Sequence, residues 1–447
     1  MKPDENSSYY MGKDSAKVAV IGLWHLGCTA SAGLAEAGYV VTGVDFDKKI
    51  VNDLAEQSAP PLFEPGLVDL IKKNKDAGRL NFTADFKSAL QGKKFVVIGF
   101  DTPVNDNDYP DPKVIYKACE EIAKFADDNC FVIIMSQVPV GSCREMKKLI
   151  LKRRPGMKCN IVYNPENLQL GQSIKRFLEP DRVIIGLENE SARQSVEGFF
   201  QAIGGQKLYM DLESAEMVKH ATNTFLAMSI SFINEIADFC EITGADIRRV
   251  VEGLKADARI GARAFLSPGI GYAGGTLGRD IAVLRDLAKS KKLKTHIIGA
   301  VREVNRSRQK KIIEKIKGII GSLRNKKVAI LGLTYKPGTS TLRRSMSLEI
   351  AQKLLAVGVK IKAYDPKIIT PIKGLSKMKV CLDPYQAILG ADVILLATDW
   401  PEFKELDFVK IKKIANRAIV VDCKNFLSPE VIKNHGFSYY GIGFNLE

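Results

Sequence analysis

The sequence has no apolar run approaching the roughly 18 residues needed to span a bilayer, no CxxC pair, and only four histidines in 447 residues. The first absence excludes a membrane-spanning helix. The other two leave a metal cluster short of ligands, because the eight cysteines (28, 119, 130, 143, 159, 240, 381 and 423) are scattered along the chain and the four histidines are equally dispersed. Scattered thiols also argue against a disulfide framework and fit a reducing cytoplasm. The opening "MKPDENSSYYMGKD" lacks the basic-then-apolar order of a signal peptide and reads as a loose tail before the first strand.

What is present is ordinary for a globular enzyme of two or three domains: 46% apolar and 26% charged residues. The net charge of +15 raises the question of nucleic acid. The basic residues, however, fall on periodic helix patterns such as "RQKKIIEKIKGII" with no basic, aromatic-rich stripe beside them. They read as a solvated lysine-rich surface that attracts anionic small molecules; no nucleic-acid partner is expected.

Stretch 17–47, "KVAVIGLWHLGCTASAGLAEAGYVVTGVDFD", reads as a buried strand, a glycine turn, a helix ending at Gly38 and a second strand ending in Asp45. "KFVVIGFDTP" (94–103) and "CFVIIMSQVPVG" (130–141) are further strands running into polar loops, so a parallel, doubly wound sheet follows. The pattern returns: "KKVAILGLTYKPGT" (326–339) matches the first strand and turn, and "GVKIKAYDP" (358–366) matches the second strand. Between 206 and 320 strand signals vanish, and 214–244 reads as one long amphipathic helix with Ser214 as its N-cap and Gly244 beyond its end. The expected fold class is therefore α/β. Two Rossmann-like domains, 1–205 and 321–447, flank a helical region, 206–320, whose long helix buries one face against a second copy in a homodimer.

The first turn, "GLWHLG" (22–27), has dinucleotide spacing with one fault. Gly22 suits the tight turn and Gly27 close helix packing, but Trp24 stands where a middle glycine would let a pyrophosphate approach. Asp45, 23 residues after Gly22, lies where an acid binds the ribose hydroxyls of NAD and disfavours NADP. The competing reading is a βαβ unit that binds nothing. Glu166, in "YNPENLQLG" (163–171), is a general base or a surface acid. Lys219 and Asn223, four apart in "KHATN", share a helix face that either holds an oxyanion or is merely solvated.

Taken together these stretches resemble the nucleotide-sugar 6-dehydrogenase family, which includes UDP-glucose and UDP-N-acetylmannosamine dehydrogenases. The likeness runs through "PPLFEPGL", "GRLNFTADF", "DTP", "SQVPVG", "NPENL", "PDRVIIG", "SFINEIADFCEITGAD", "PGIGYAGGTLGRD", "LGLTYKPGT" and "TDWPEF", in that order along nearly the whole chain. It implies that the first domain binds NAD, that the third binds a UDP-sugar, and that the sugar C6 alcohol is oxidised twice through a cysteine-bound thiohemiacetal and thioester. By the same resemblance Lys219 and Asn223 stabilise the oxyanion, Glu166 assists hydrolysis and Asp280 orders the water. Gly22, Trp24, Leu26, Gly27, Asp45, Thr102, Pro103 and Gln137 then line the NAD site. Leu168, Phe265, Gly271, Tyr272, Gly275, Lys336 and Arg343, with Glu166, Lys219 and Asn223, face the substrate; no metal is implied.

Departures accompany the likeness. Thr276 occupies the position that the family gives to its cysteine. Gln137 stands for a threonine, Leu170 for a second glutamate, Arg279 for a lysine, and Ser340 and Thr341 for an acidic pair. A threonine hydroxyl is a far weaker nucleophile than a thiolate without a strong adjacent base. Oxidation of alcohol to aldehyde does not need the nucleophile; the covalent second step does. The expectation is a C6 oxidation that stops at the aldehyde. The rivals are a chain that oxidises only transiently and one that binds nucleotide sugar without turnover. A 2-hydroxyacid or phosphogluconate-type dehydrogenase would explain the first Rossmann unit but not the second.

Overall fold

The computed structural model describes residues 16–102, 111–166 and 168–444, so the expected N-terminal tail and Pro103 lie outside the described residues. The chain forms two compact units, one ending at Lys219 and the other beginning at His220. Among the described residues no helix is long and apolar enough to cross a membrane.

The first unit holds one eight-stranded sheet: β1 (Lys17–Ile21), β2 (Val40–Val44), β3 (Leu80–Thr83), β4 (Phe95–Ile98), β5 (Cys130–Ile134), β6 (Cys159–Tyr163), β7 (Arg182–Leu187) and β8 (Gln206–Asp211). Their spatial order is β3-β2-β1-β4-β5-β6-β7-β8. Runs such as "FVVI" and "CFVII" are buried along their whole length, as strands covered by helices on both faces must be. The sheet departs from the expected wholly parallel one at a single pair. The link from β6 to β7 carries one six-residue helix (Ser173–Leu178), and the chain returns antiparallel instead of crossing over.

Strand signal does not vanish at 206. Gln206–Asp211 is β8, paired with β7 over six positions, and the long helix starts after it, at Leu212–Thr243. Its half-exposed residues, polar at both ends, hide the strand from a reading that looks for apolar runs. Nor is Ser214 the cap: the Asp211 carboxylate accepts the Ser214 N–H at 2.8 Å and its hydroxyl at 2.7 Å. Gly244 closes the helix in the left-handed region, φ +77°.

The second unit continues that helix and adds helices Ile247–Ala256, Thr276–Ser290 and Ile297–Ile320. Then come β9 (Lys327–Leu331), β10 (Lys360–Tyr364), β11 (Met378–Cys381), β12 (Val393–Leu396), β13 (Ile419–Asp422) and β14 (Ser438–Tyr440), all parallel in the order β11-β10-β9-β12-β13-β14. Ile233, Ala237 and Cys240 of the long helix and Ile312 and Ile316 share one core with Val328, Ile330 and Leu395 of the sheet. Burying such an aliphatic side chain contributes about 1.5–3 kcal/mol.

The internal repeat shows at residue level. In the second unit Asp365, just past β10, is buried and its Oδ2 accepts from the N–H of Leu333 (2.7 Å) and of Thr334 (2.9 Å) and from the Trp400 indole (3.1 Å). Each buried donor left unpaired costs about 1–3 kcal/mol. Asp365→Ala is therefore expected to lower stability by about 3 kcal/mol or more. Urea unfolding followed by Trp400 fluorescence in a Trp24→Phe background measures it, and an unchanged midpoint would remove Asp365 as the anchor of this turn.

Candidate active site

The turn after β1 is built for close approach. Gly22 has φ +95°, and a Cβ on Gly27 would lie 1.6 Å from the Gly22 carbonyl oxygen, so the helix His25–Glu36 can start directly against the strand only with glycine there. Asp45, just past β2, accepts the Leu23 N–H at 2.6 Å and the Asp47 N–H at 2.9 Å, while burial pushes its carboxyl above the usual range. These are backbone partners, and a carboxylate has about four acceptor positions, so capacity remains for ribose hydroxyls. The glycine cradle and the acid fit a dinucleotide. Trp24 is the helix N-cap and makes no side-chain capping bond; its side chain is 44% exposed. Leu26 is buried, and its N–H donates to Asp101 at 2.9 Å. Thr102 and Gln137 are brought together: the Thr102 hydroxyl donates to the Gln137 carbonyl at 2.8 Å, both residues buried.

On the loop after β6, Lys219 donates to the backbone carbonyl of Glu166 and its Nζ lies 3.9 Å from the Glu166 carboxylate. The Leu168 N–H donates to that carboxylate. Lys219 is 5% exposed and Asn223 7%, which rules out the solvated-face reading for both. Glu166 is likewise no free surface acid, being half-buried against Lys219.

In the second unit Asp280 is fully buried, with one oxygen 2.5 Å from His220 Nδ1 and the other accepting from Asn223 Nδ2 at 2.5 Å. Asp280 lies one turn after Thr276, the exposed first residue of the helix Thr276–Ser290. The loop before it is pinned by the protein itself. The Asn305 amide holds both the N–H (2.8 Å) and the carbonyl (3.1 Å) of the buried Tyr272. A Cβ on Gly271 would lie 2.3 Å from Asn305 Oδ1, one on Gly274 3.1 Å from the Tyr335 ring, and one on Gly275 2.8 Å from Arg343 Nε. Internal packing therefore accounts for these glycines, whose number alone does not point to a sugar. The same contacts bring the exposed Arg343 to the loop; Lys336 is half-buried on the neighbouring "YKPGT" turn, and Phe265 is exposed beside the buried Leu266.

Three residues went unnoticed in the sequence. His220 follows Lys219 and stands three before Asn223, a spacing that shares a helix face and was open to reading. Asp101, in contrast, is 75 residues from the helix it touches, and no local pattern signals that contact. Glu64 accepts from the Gly171 and Ser173 N–H groups at 2.9 Å and lies 3.0 Å from His25 Nε2, tying the first turn to the Glu166 loop. All eight cysteines are free and buried, and burial pushes the thiols of Cys119 and Cys130 up to about 12.

Residues 16–204, 213–307 and 329–429 match in turn the NAD binding, central and UDP binding domains of the UDP-glucose/GDP-mannose dehydrogenase family. The chain is 34% identical over 430 residues to UDP-glucose 6-dehydrogenase TuaD of Bacillus subtilis (strain 168), covering 96% of this chain and 93% of that one. It is 34% identical over 435 residues to UDP-glucose 6-dehydrogenase of Rhizobium meliloti (strain 1021), covering 96% and 99%. Among solved structures, a UDP-glucose dehydrogenase from the hyperthermophilic archaeon Pyrobaculum islandicum superposes with a TM-score of 0.89 at 27% identity, over 98% of this chain and 100% of that one. With its two Rossmann-like sheets, its glycine cradle and three successive domain matches, the chain belongs to the UDP-glucose/GDP-mannose dehydrogenase family and is an NAD-dependent oxidoreductase.

Proposed function

We propose that the chain oxidises the C6 alcohol of a UDP-activated hexose or hexosamine and releases the 6-aldehyde. The observation that carries this reading is the buried Asp280, held by His220 and Asn223 one helical turn beyond a threonine. NAD supplies the hydride acceptor. Lys219 and Asn223 favour negative charge on O6 as its proton leaves through a water that Asp280 orders. Each turnover removes one hydride from C6 and one proton from O6. A second oxidation by the covalent route would need a thiolate, and Thr276 stands at the family's cysteine position while every cysteine of the chain is buried.

With a panel of UDP-sugars, one NADH per sugar consumed is expected, together with a product lighter by two hydrogens. Thr276→Cys places a thiol at a helix N-terminus, where its pKa falls, and should move the stoichiometry toward two NADH and a uronic acid. Two NADH per sugar from the unaltered chain would defeat the aldehyde reading, and an ester trapped on Thr276 would defeat the non-covalent one.

Lys336 and Arg343 are proposed to hold the nucleotide diphosphate. A charge-assisted contact contributes about 1.5–3 kcal/mol, so Lys336→Ala should weaken UDP binding by about tenfold or more in calorimetry. Unchanged affinity would remove Lys336 from the site.

We also propose that two copies pair through the outer face of the long helix. Phe225, Phe232 and Phe239, spaced by seven, are 62%, 48% and 61% exposed, whereas Ala227, Ile233 and Ala237 on its other side are buried. Phe232→Glu with Phe239→Glu should yield a folded monomer in sedimentation. A dimer that survives both changes would place the interface elsewhere.

A further inference from the structure

The N-terminus of the helix after the first strand is where a dinucleotide's pyrophosphate sits, on backbone N–H groups at the positive end of the helix dipole. In this chain a carboxylate is already there. Asp101, three residues beyond the end of β4, accepts the N–H of Leu26, in the first turn of the helix His25–Glu36, at 2.9 Å. That helix has no acidic residue in its own first turn, and its N-cap Trp24 makes no side-chain capping bond. The corresponding helix of the second unit, Met346–Ala356, is capped by its own Ser345, whose hydroxyl accepts the Leu348 N–H. The first helix is thus left open by its own residues, as a phosphate seat must be, and is filled by an acid from 75 residues away.

We infer that Asp101 is an internal stand-in for the cofactor's pyrophosphate: NAD must displace its carboxylate, and Asp101 thereby sets the cofactor's affinity. The inference rests on NAD being bound at the turn after β1. A carboxylate and a pyrophosphate compete for the same donor and repel one another, so both cannot occupy it. Asp101 is exposed, so its side chain can turn out to water when displaced. Trp24, in place of a glycine, narrows the same approach, which makes the Leu26 N–H a contact the pyrophosphate has few means of replacing.

Calorimetry with NAD, ADP and adenosine on the unaltered chain, Asp101→Asn and Asp101→Glu tests this. The Asp101→Asn amide oxygen can still accept the Leu26 N–H, so the fold is kept while the competing charge is gone; thermal unfolding checks this. The expected result is NAD and ADP binding tightened by about tenfold in Asp101→Asn, with adenosine unchanged and Asp101→Glu no tighter than the unaltered chain. NAD binding equally well or more weakly in Asp101→Asn would overturn the inference and leave the cofactor site standing. An equal gain for adenosine would overturn it too, because adenosine carries no phosphate to compete. Absence of NAD binding in all three proteins, with UDP still bound, would overturn the cofactor site itself and the inference with it.

Discussion

Both sheets depend on one repeated contact, a carboxylate just past the second strand that takes a backbone N–H from the turn after the first. Asp45 receives the Leu23 N–H at 2.6 Å, and Asp365 receives the Leu333 N–H at 2.7 Å. In each unit the glycine beginning that turn also donates to the second strand, Gly22 to Val44 at 2.9 Å and Gly332 to Tyr364 at 2.8 Å. The turn is thereby fixed from two sides, and the following segment leaves the sheet in a set direction. The two acids then part company. Asp365 also takes the Thr334 hydroxyl and the Trp400 indole, which closes it off. The described partners of Asp45 are backbone N–H groups, which leaves acceptor positions for a ligand. One scaffold thus yields a closed-off acid in the second unit and an acid with acceptor positions to spare in the first.

Asp280 poses the opposite problem, a carboxylate fully buried inside the second unit. A buried charge is tolerated only where donors meet it, and here His220 and Asn223, three apart on the long helix, each take one oxygen. That clamp sets the start of the helix Thr276–Ser290 against the long helix, and with it the place of Thr276. Asn305 does the same for the preceding loop by holding both backbone groups of Tyr272.

Much of the fold was legible because its signals are local. Buried parallel strands read as apolar runs, and the repeat of glycine turn and strand-end acid announced the second sheet. β8 was missed because "QKLYMD" is half-exposed and lacks such a run, and the antiparallel β6–β7 pair because strand direction is not written in either strand. At the candidate site, spacing drew attention to Asp45, Lys219 and Asn223, all three buried in the structure, while the roles of Lys219 and Asn223 rested on the family resemblance. His220 had its spacing too, but its role depends on Asp280, 60 residues on. Asp101 and Glu64 act wholly across the fold, where a single sequence carries no periodic trace of the contact. The atoms that Gly271, Gly274 and Gly275 make room for belong to Asn305, Tyr335 and Arg343, neighbours that no local pattern signals.

The buried thiols have a consequence for how this protein can be studied. Cys28, Cys119, Cys130, Cys143 and Cys159 lie in the first unit, and Cys240, Cys381 and Cys423 in the second, none of them at the surface. A thiol reagent therefore reacts only when a core opens. The rate at which each cysteine is labelled under native conditions reads the opening free energy of its surroundings. The chain carries its own set of site-resolved stability probes, five in one unit and three in the other, with no engineered residue required.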